Sequence, residues 1–359
     1  MPTNTETGLS DASRGAAVTG DDIRMRRKVQ QFGSSTLAIT LPAGWAREQN
    51  IAKGDELRIQ RDENSGSLLL VPDTDDGPDT AATIDAGSLT PQALERAVLS
   101  HYILGRNLIR VESESGLSAA LLEAVETTER NLMGLGKIEQ SRTHVDNRCS
   151  VAPSDFELPT LLARLWRTEA TIREETIEAF LEGDLDRATV AAKRETQAEK
   201  LFHLFLRLLF ATYRNPRLNE TMGIDTGFPL IGYRSVAQDV MLMTKSACRI
   251  VDLVEYEGTI GAEPTETFKT VAEALGRAVD ETHEAVIDPT ADSAEAANEA
   301  IAALRQRIDE GQAYLETERP SPILELQRLL STIDQIGRHA GDSAEVATHL
   351  AAREFSPTE

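Results

Sequence analysis

Four cations, Arg24, Arg26, Arg27 and Lys28, fall within five residues near the start of the chain, just ahead of a Gly33-Ser34-Ser35 turn. Guanidinium and ammonium groups gathered this densely neutralise phosphates, while hydroxyls and backbone N–H groups beside them fix register on a sugar–phosphate backbone. Arg24, Arg26, Arg27, Lys28, Ser34 and Ser35 are therefore the candidate DNA-binding residues. The same cluster has a second use, because cations along an exposed strand edge discourage edge-to-edge aggregation.

The rest of the chain makes the cluster stand out. Its 359 residues carry a formal net charge of −22. A surface this acidic repels polyanions, so contact with DNA has to come from a local basic island. Residues 22–72 hold eight basic and six acidic side chains, a net of +2, which leaves −24 for the remainder. Few of the 37 basic residues are lysines, and aromatics make up only 4%. Together with the many carboxylates, this suggests a halophilic proteome. High salt would work against DNA affinity through counterion release.

Other chemistry is sparse. The chain has no phosphate-cradling glycine loop, no recognisable Ser/His/Asp constellation and no H-E-x-x-H pair, so it reads as non-enzymatic, without catalytic residues or cofactors. Cys149 and Cys248 are too far apart to form a ligand-spaced pair, which argues against a zinc site or a disulfide framework. Asp334, Arg338 and Asp342, spaced i, i+4, i+8 with alternating sign, are expected to form an exposed ion-pair ladder. A cation between the carboxylates opposes metal binding, so no metal site is expected. His203 and His339 read as single packing or surface histidines, and Phe202, Phe205, Leu206, Leu209 and Phe210 as core or partner contacts. The most apolar run, Leu201 to Phe210, is interrupted by His203 and Arg207 and falls short of the ~20 residues a membrane span needs. Without an apolar N-terminal run of signal-peptide type, a soluble cytoplasmic protein is expected.

The elements that must position the cations follow from pattern. Residues 1–21 are small and polar and read as a disordered tail; 73–90 (DTDDGPDTAATIDAGSLT) reads as a linker. Between them, Leu37, Ile39 and Leu41 alternate with Ala38 and Thr40, the period of a half-buried strand. Pro42 ends that strand, 43–49 is a short helix, and Leu57–Arg61 with Leu68–Val71 form a hairpin around Asn64-Ser65-Gly66. Residues 91–152 alternate helix and strand as a small α/β module. From Pro159 the chain is almost wholly helical, breaking at Gly183-Asp184 and Asp288-Pro289. This half looks duplicated: first helices at 160–181 and 265–287, second at 185–212 and 291–316, third at 233–257 and 323–353. Two tandem three-helix bundles, 153–258 and 259–359, are the economical description.

RKVQQFGSSTLAITLPAGW, followed by IAKGDELRI and LLLVP, resembles the AbrB/SpoVT/MazE family of swapped-hairpin DNA-binding domains. The resemblance implies a homodimer, because so small a block cannot close its own barrel, and DNA contact through the basic first strand and turn. LARLWRTEATIREETIEAFLEGDLDRATVAAKRETQAEKLFHLFLRLLF and LSTIDQIGRHAGDSAEVATHLA resemble helices of PhoU, the phosphate-uptake regulator family, in its archaeal form. PhoU proteins commonly carry metal-binding carboxylates on the third helix of each bundle. Here Asp334 occupies the first acidic place but Arg338 stands where the second carboxylate is expected, and the first bundle has Met241, Lys245, Arg249 and Asp252 in the corresponding places.

The expected fold is mainly α: a small N-terminal β domain, an α/β module and two bundles. The expected function is regulation of phosphate uptake through DNA and a phosphate-transport component or signalling protein. A protein-only adaptor that uses the hairpin domain to dimerise and a MazE-type antitoxin are the alternatives.

Overall fold

The computed structural model describes residues 26–32, 36–61, 68–72, 81–215, 218–224, 228–256 and 259–354. The chain divides into two compact units, 1–76 and 77–359. The first is a small β unit and the second contains the long helices, which matches the expected fold class. Arg24, Ser34, Ser35 and the 1–21 tail lie outside the described residues.

In the first unit, β1 (Gln30–Phe32) pairs antiparallel with β2 (Thr36–Ala38). Pro42 then caps a short helix, α1 (Ala43–Glu48). The chain leaves α1 through Asn50 and Gly54, both at positive φ (53° and 104°), with Asp55 Oδ2 accepting a 2.7 Å hydrogen bond from the Ala52 N–H. Asn and Gly are the residues that take such conformations at least cost. β3 (Leu57–Arg61) and β4 (Leu68–Pro72) form the second antiparallel hairpin.

The second unit opens with β5 (Ala81–Asp85), which corrects the expected linker: 81–85 is an edge strand, parallel to β6 (Leu108–Glu112). Composition hid it because an edge strand needs little apolar surface; Ile84 is the strand's one buried residue. The sheet continues as β5-β6-β8-β7, with β7 (Leu135–Gln140) and β8 (His144–Cys149) forming a hairpin. Its inner face, including Ile84, Ile109, Val111 and Val145, packs on α2 (Pro91–Ile103) and α3 (Ala119–Asn131). Thr90 and Ser118 start these helices by accepting from the N–H groups of Ala93 and Leu121, the usual N-cap arrangement.

The helical half comprises α4 (Leu158–Glu182), α5 (Leu185–Ala192), α6 (Glu195–Arg214), α7 (Leu218–Thr221), α8 (Phe228–Cys248), α9 (Ala262–Ile287), α10 (Ala291–Glu318) and α11 (Ile323–Glu354). The expected Gly-Asp break is present. Gly183 ends α4 at φ 72°, and Asp184 Oδ1 caps α5 through the Arg187 N–H at 2.9 Å. Two details depart from expectation. The helix read as 185–212 is interrupted at Lys193-Arg194, with no Gly or Pro to signal it; there Arg194 turns to an ion pair with Glu175 on α4. The two bundles also do not keep separate cores: α8 packs along α11 and α4 against α9, so one apolar cluster runs through both. Within it lies a buried ion pair on α4, Arg173 Nε to Glu169 Oε1 at 3.0 Å. Burial pushes the Glu169 carboxyl up, with Arg173 opposing.

Arg207 joins the α/β module to this core. The apolar run of α6 carries one buried guanidinium, which donates to the carbonyls of Tyr102 (2.7 Å) and Arg106 (3.0 Å) and to Asn107 Oδ1 (2.8 Å). It also lies 5.0 Å from the centre of the Tyr102 ring. A cation at the carboxyl end of α2 meets unsatisfied carbonyls and the negative end of the helix dipole. Replacing Arg207 by Met keeps the apolar stem but leaves those acceptors without the guanidinium. The expected cost is about 3 kcal/mol, read by urea denaturation, with faster amide exchange at the end of α2. Unchanged stability would remove the assigned role.

Candidate nucleic-acid interface

Arg26, Arg27 and Lys28 are all exposed, on the segment that leads into β1. Of the six expected DNA-binding residues, these three are described, and they form a contiguous basic run. Arg58 and Arg61 add two cations on β3, whose side chains are outside the description.

The register of the hairpins shows what else this unit presents. In the first, Gln31 lies opposite Leu37 and Gln30 opposite Ala38. Carried one residue further, the same register sets Val29 opposite Ile39. Directly opposed residues share a face, and side chains alternate along a strand, so Val29, Leu37 and Ile39 lie on one face. In the second hairpin, Ile59 opposes Leu70 and Arg61 opposes Leu68, which puts Leu57, Ile59, Leu68 and Leu70 on one face. Val29, Leu37, Ile39, Ile59 and Leu68 are 55% to 70% exposed. The residues of 26–72 whose burial is described are exposed or half-buried. In a single chain both hairpins thus leave large apolar side chains exposed on these faces. Burying each such side chain is worth roughly 1.5–3 kcal/mol, and a two-stranded hairpin is marginal alone in water.

The other residues singled out from sequence fall as follows. Phe202, Phe205, Leu206 and Leu209 are buried in the helical core, and Phe210 is half-buried. His203 is partly buried beside Phe202, and burial pushes its pKa down. The expected ladder on α11 forms only in its first rung, the Asp334–Arg338 ion pair. Asp342 instead lies near His339 and near Asp239 of α8. Asp239 was not found from sequence: a hundred residues separate it from His339, and no local motif connects them. On the outer face of the α/β sheet, Arg110 grips Asp146 through two hydrogen bonds of 2.7 and 2.6 Å and holds its carboxyl below the usual carboxylate range. No described helix is long and apolar enough to cross a membrane.

Residues 30–77 match a family model described as antidote-toxin recognition MazE, bacterial antitoxin. The matched segment includes both hairpins and α1, so this part of the chain is an AbrB/MazE-like domain. No curated protein matches the chain.

The exposed faces lead to a solution prediction. Leu37→Asp or Ile59→Asp puts a charge on an apolar hairpin face, and light scattering should then show the mass of one chain in place of two. Unfolding of the wild-type hairpin unit should depend on protein concentration, whereas that of residues 77–359 should not. A wild-type chain that is monomeric at micromolar concentration would contradict both.

Proposed function

We propose that the chain is a dimeric, non-enzymatic, DNA-binding regulator. Its hairpin domains pair across two chains and present Arg26, Arg27 and Lys28 from each copy to a duplex. The observation that carries this reading is the combination, within one small unit, of an exposed basic run and apolar strand faces that one chain leaves uncovered. Pairing two copies buries the faces and doubles the cations on a chain that is otherwise strongly acidic. The AbrB/MazE-like match over residues 30–77 supports a regulator of this kind.

The helical half is the partner arm in this reading. Its long packed helices resemble those of phosphate-uptake regulators in sequence plan, so the partner we propose is a phosphate-transport component or a protein that signals its state. The match to a family of bacterial antitoxins favours a second reading, an antitoxin that covers a toxin. A small protein that copurifies with residues 26–72 and binds without DNA would support it.

The test is DNA binding by the full chain across a salt series. Arg26→Ala, Arg27→Ala and Lys28→Ala together remove up to six cations from a dimer. Affinity should fall at least tenfold at low salt, and the slope of log K against log salt should flatten by about 0.9 for each lost phosphate contact. Binding with an unchanged slope would separate these residues from the duplex. No DNA binding by the wild type at any salt would leave the adaptor reading.

A further inference from the structure

We propose that β5 is a second contact between two copies of this chain: its outer edge pairs antiparallel with the same edge of the partner copy, about a two-fold axis at Thr83. The two four-stranded sheets then run on as one. The inference rests on the proposed pairing of the hairpin domains, which brings the two edges together, but it concerns a different surface.

The sheet ends at β7 on one side and at β5 on the other, and the two edges are unlike. β7 carries Lys137 and Glu139, and its register with β8 shifts between them. Charge and irregularity of this kind guard an edge against strand addition. β5, Ala-Ala-Thr-Ile-Asp, runs in unbroken register with β6 and has no Pro, no cation and one carboxylate.

The outward backbone groups of β5 follow from its register. Ala81 to Asp85 pair in turn with Leu108 to Glu112, and the Ala86 N–H donates to the Glu112 carbonyl at 2.8 Å. In a parallel ladder alternate residues turn both N–H and C=O to the neighbouring strand, and those between turn both away. Ala86 assigns the even residues to β6, so Ala81, Thr83 and Asp85 direct their N–H and C=O groups outward. No other described strand meets them.

This pattern is its own complement. With the axis at Thr83, Thr83 faces the partner's Thr83 and Ala81 faces the partner's Asp85, each pair exchanging two hydrogen bonds. On the inner face, where Ile84 is buried, Ala82 meets the partner's Ile84, a small side chain opposite a large one. The outer face gains a Thr–Thr pair, a favourable cross-strand combination. Asp85 and the partner's Asp85 stand four residues apart along the strands, about 14 Å, beyond the ~8 Å over which charge acts at physiological salt. Chain connectivity supplies the encounter. β4 ends at Pro72 and β5 begins at Ala81, and the residues between can span at most about 29 Å. Paired hairpin domains therefore hold two β5 edges at high effective concentration, which a strand pair this short needs.

The experiment places one new cysteine in the full chain, as Thr83→Cys, Ala81→Cys or Asp85→Cys, and follows disulfide formation under mild oxidation. Only a residue on the axis meets its own copy, at about 5.5 Å between Cα atoms, within disulfide reach. Thr83→Cys should therefore cross-link at least tenfold faster than either neighbour. A mixture of Ala81→Cys and Asp85→Cys chains, after subunit exchange, should link although neither does alone. The native Cys149 and Cys248 are buried, and the unaltered chain sets the background. Circular dichroism confirms folding, and light scattering on the reduced samples gives the mass. Two-chain mass with equal cross-linking at all three positions, or with none, overturns the β5 contact and leaves the hairpin dimer standing. One-chain mass overturns both.

Discussion

Two β-hairpins whose apolar faces stay exposed in a single chain set the main constraint on this protein. Val29, Leu37, Ile39, Ile59 and Leu68 stay exposed in one chain, and none of the hydrogen bonds within either hairpin removes that cost. Exposed apolar strand faces either find a partner surface or become aggregation sites. A second copy of the same unit is the simplest partner, since a two-fold arrangement sets each face against its own complement. Because the basic run directly precedes β1, any arrangement that closes the faces also fixes where two sets of cations stand.

The larger unit meets the opposite problem. It has ample apolar surface, and it buries several polar groups among it. Arg207 stands where α6 meets α2, Glu169 and Arg173 pair within α4, and Asp239 with Ser343 bridges α8 and α11. Each costs desolvation that an apolar residue would avoid, and a buried ion pair is a weak source of net stability. Their directional bonds instead discriminate among packings that apolar stripes alone would tolerate. Arg207 does this most fully, since its acceptors are at the end of one helix and their geometry is met in one docking of the module.

Charge is distributed unevenly along the chain. Residues 22–72 are slightly positive, while the remainder carries −24. A surface as acidic as that of the remainder repels nucleic acid, and the hairpin domain is where the balance of charge reverses.

Local features of the protein were legible from residue order. Gly183 and Asp184 mark the end of one helix and the start of the next because positive φ and side-chain capping are properties of a few adjacent residues. The strand alternation at 37–41 and the helical runs after residue 158 are local in the same sense, as is the basic cluster, which needs no fold to be recognised. Tertiary structure decided what depends on distant segments meeting. Ala81–Asp85 becomes a strand only because β6 lies beside it, and the break at Lys193-Arg194 goes with an ion pair to another helix. The two bundles share one core because the apolar stripes of α8 and α11 face each other, a choice that no single stripe encodes. Asp239 reaches His339 across a hundred residues for the same reason: each helix sets its own periodicity, but only their packing sets which side chains stand within a few ångströms.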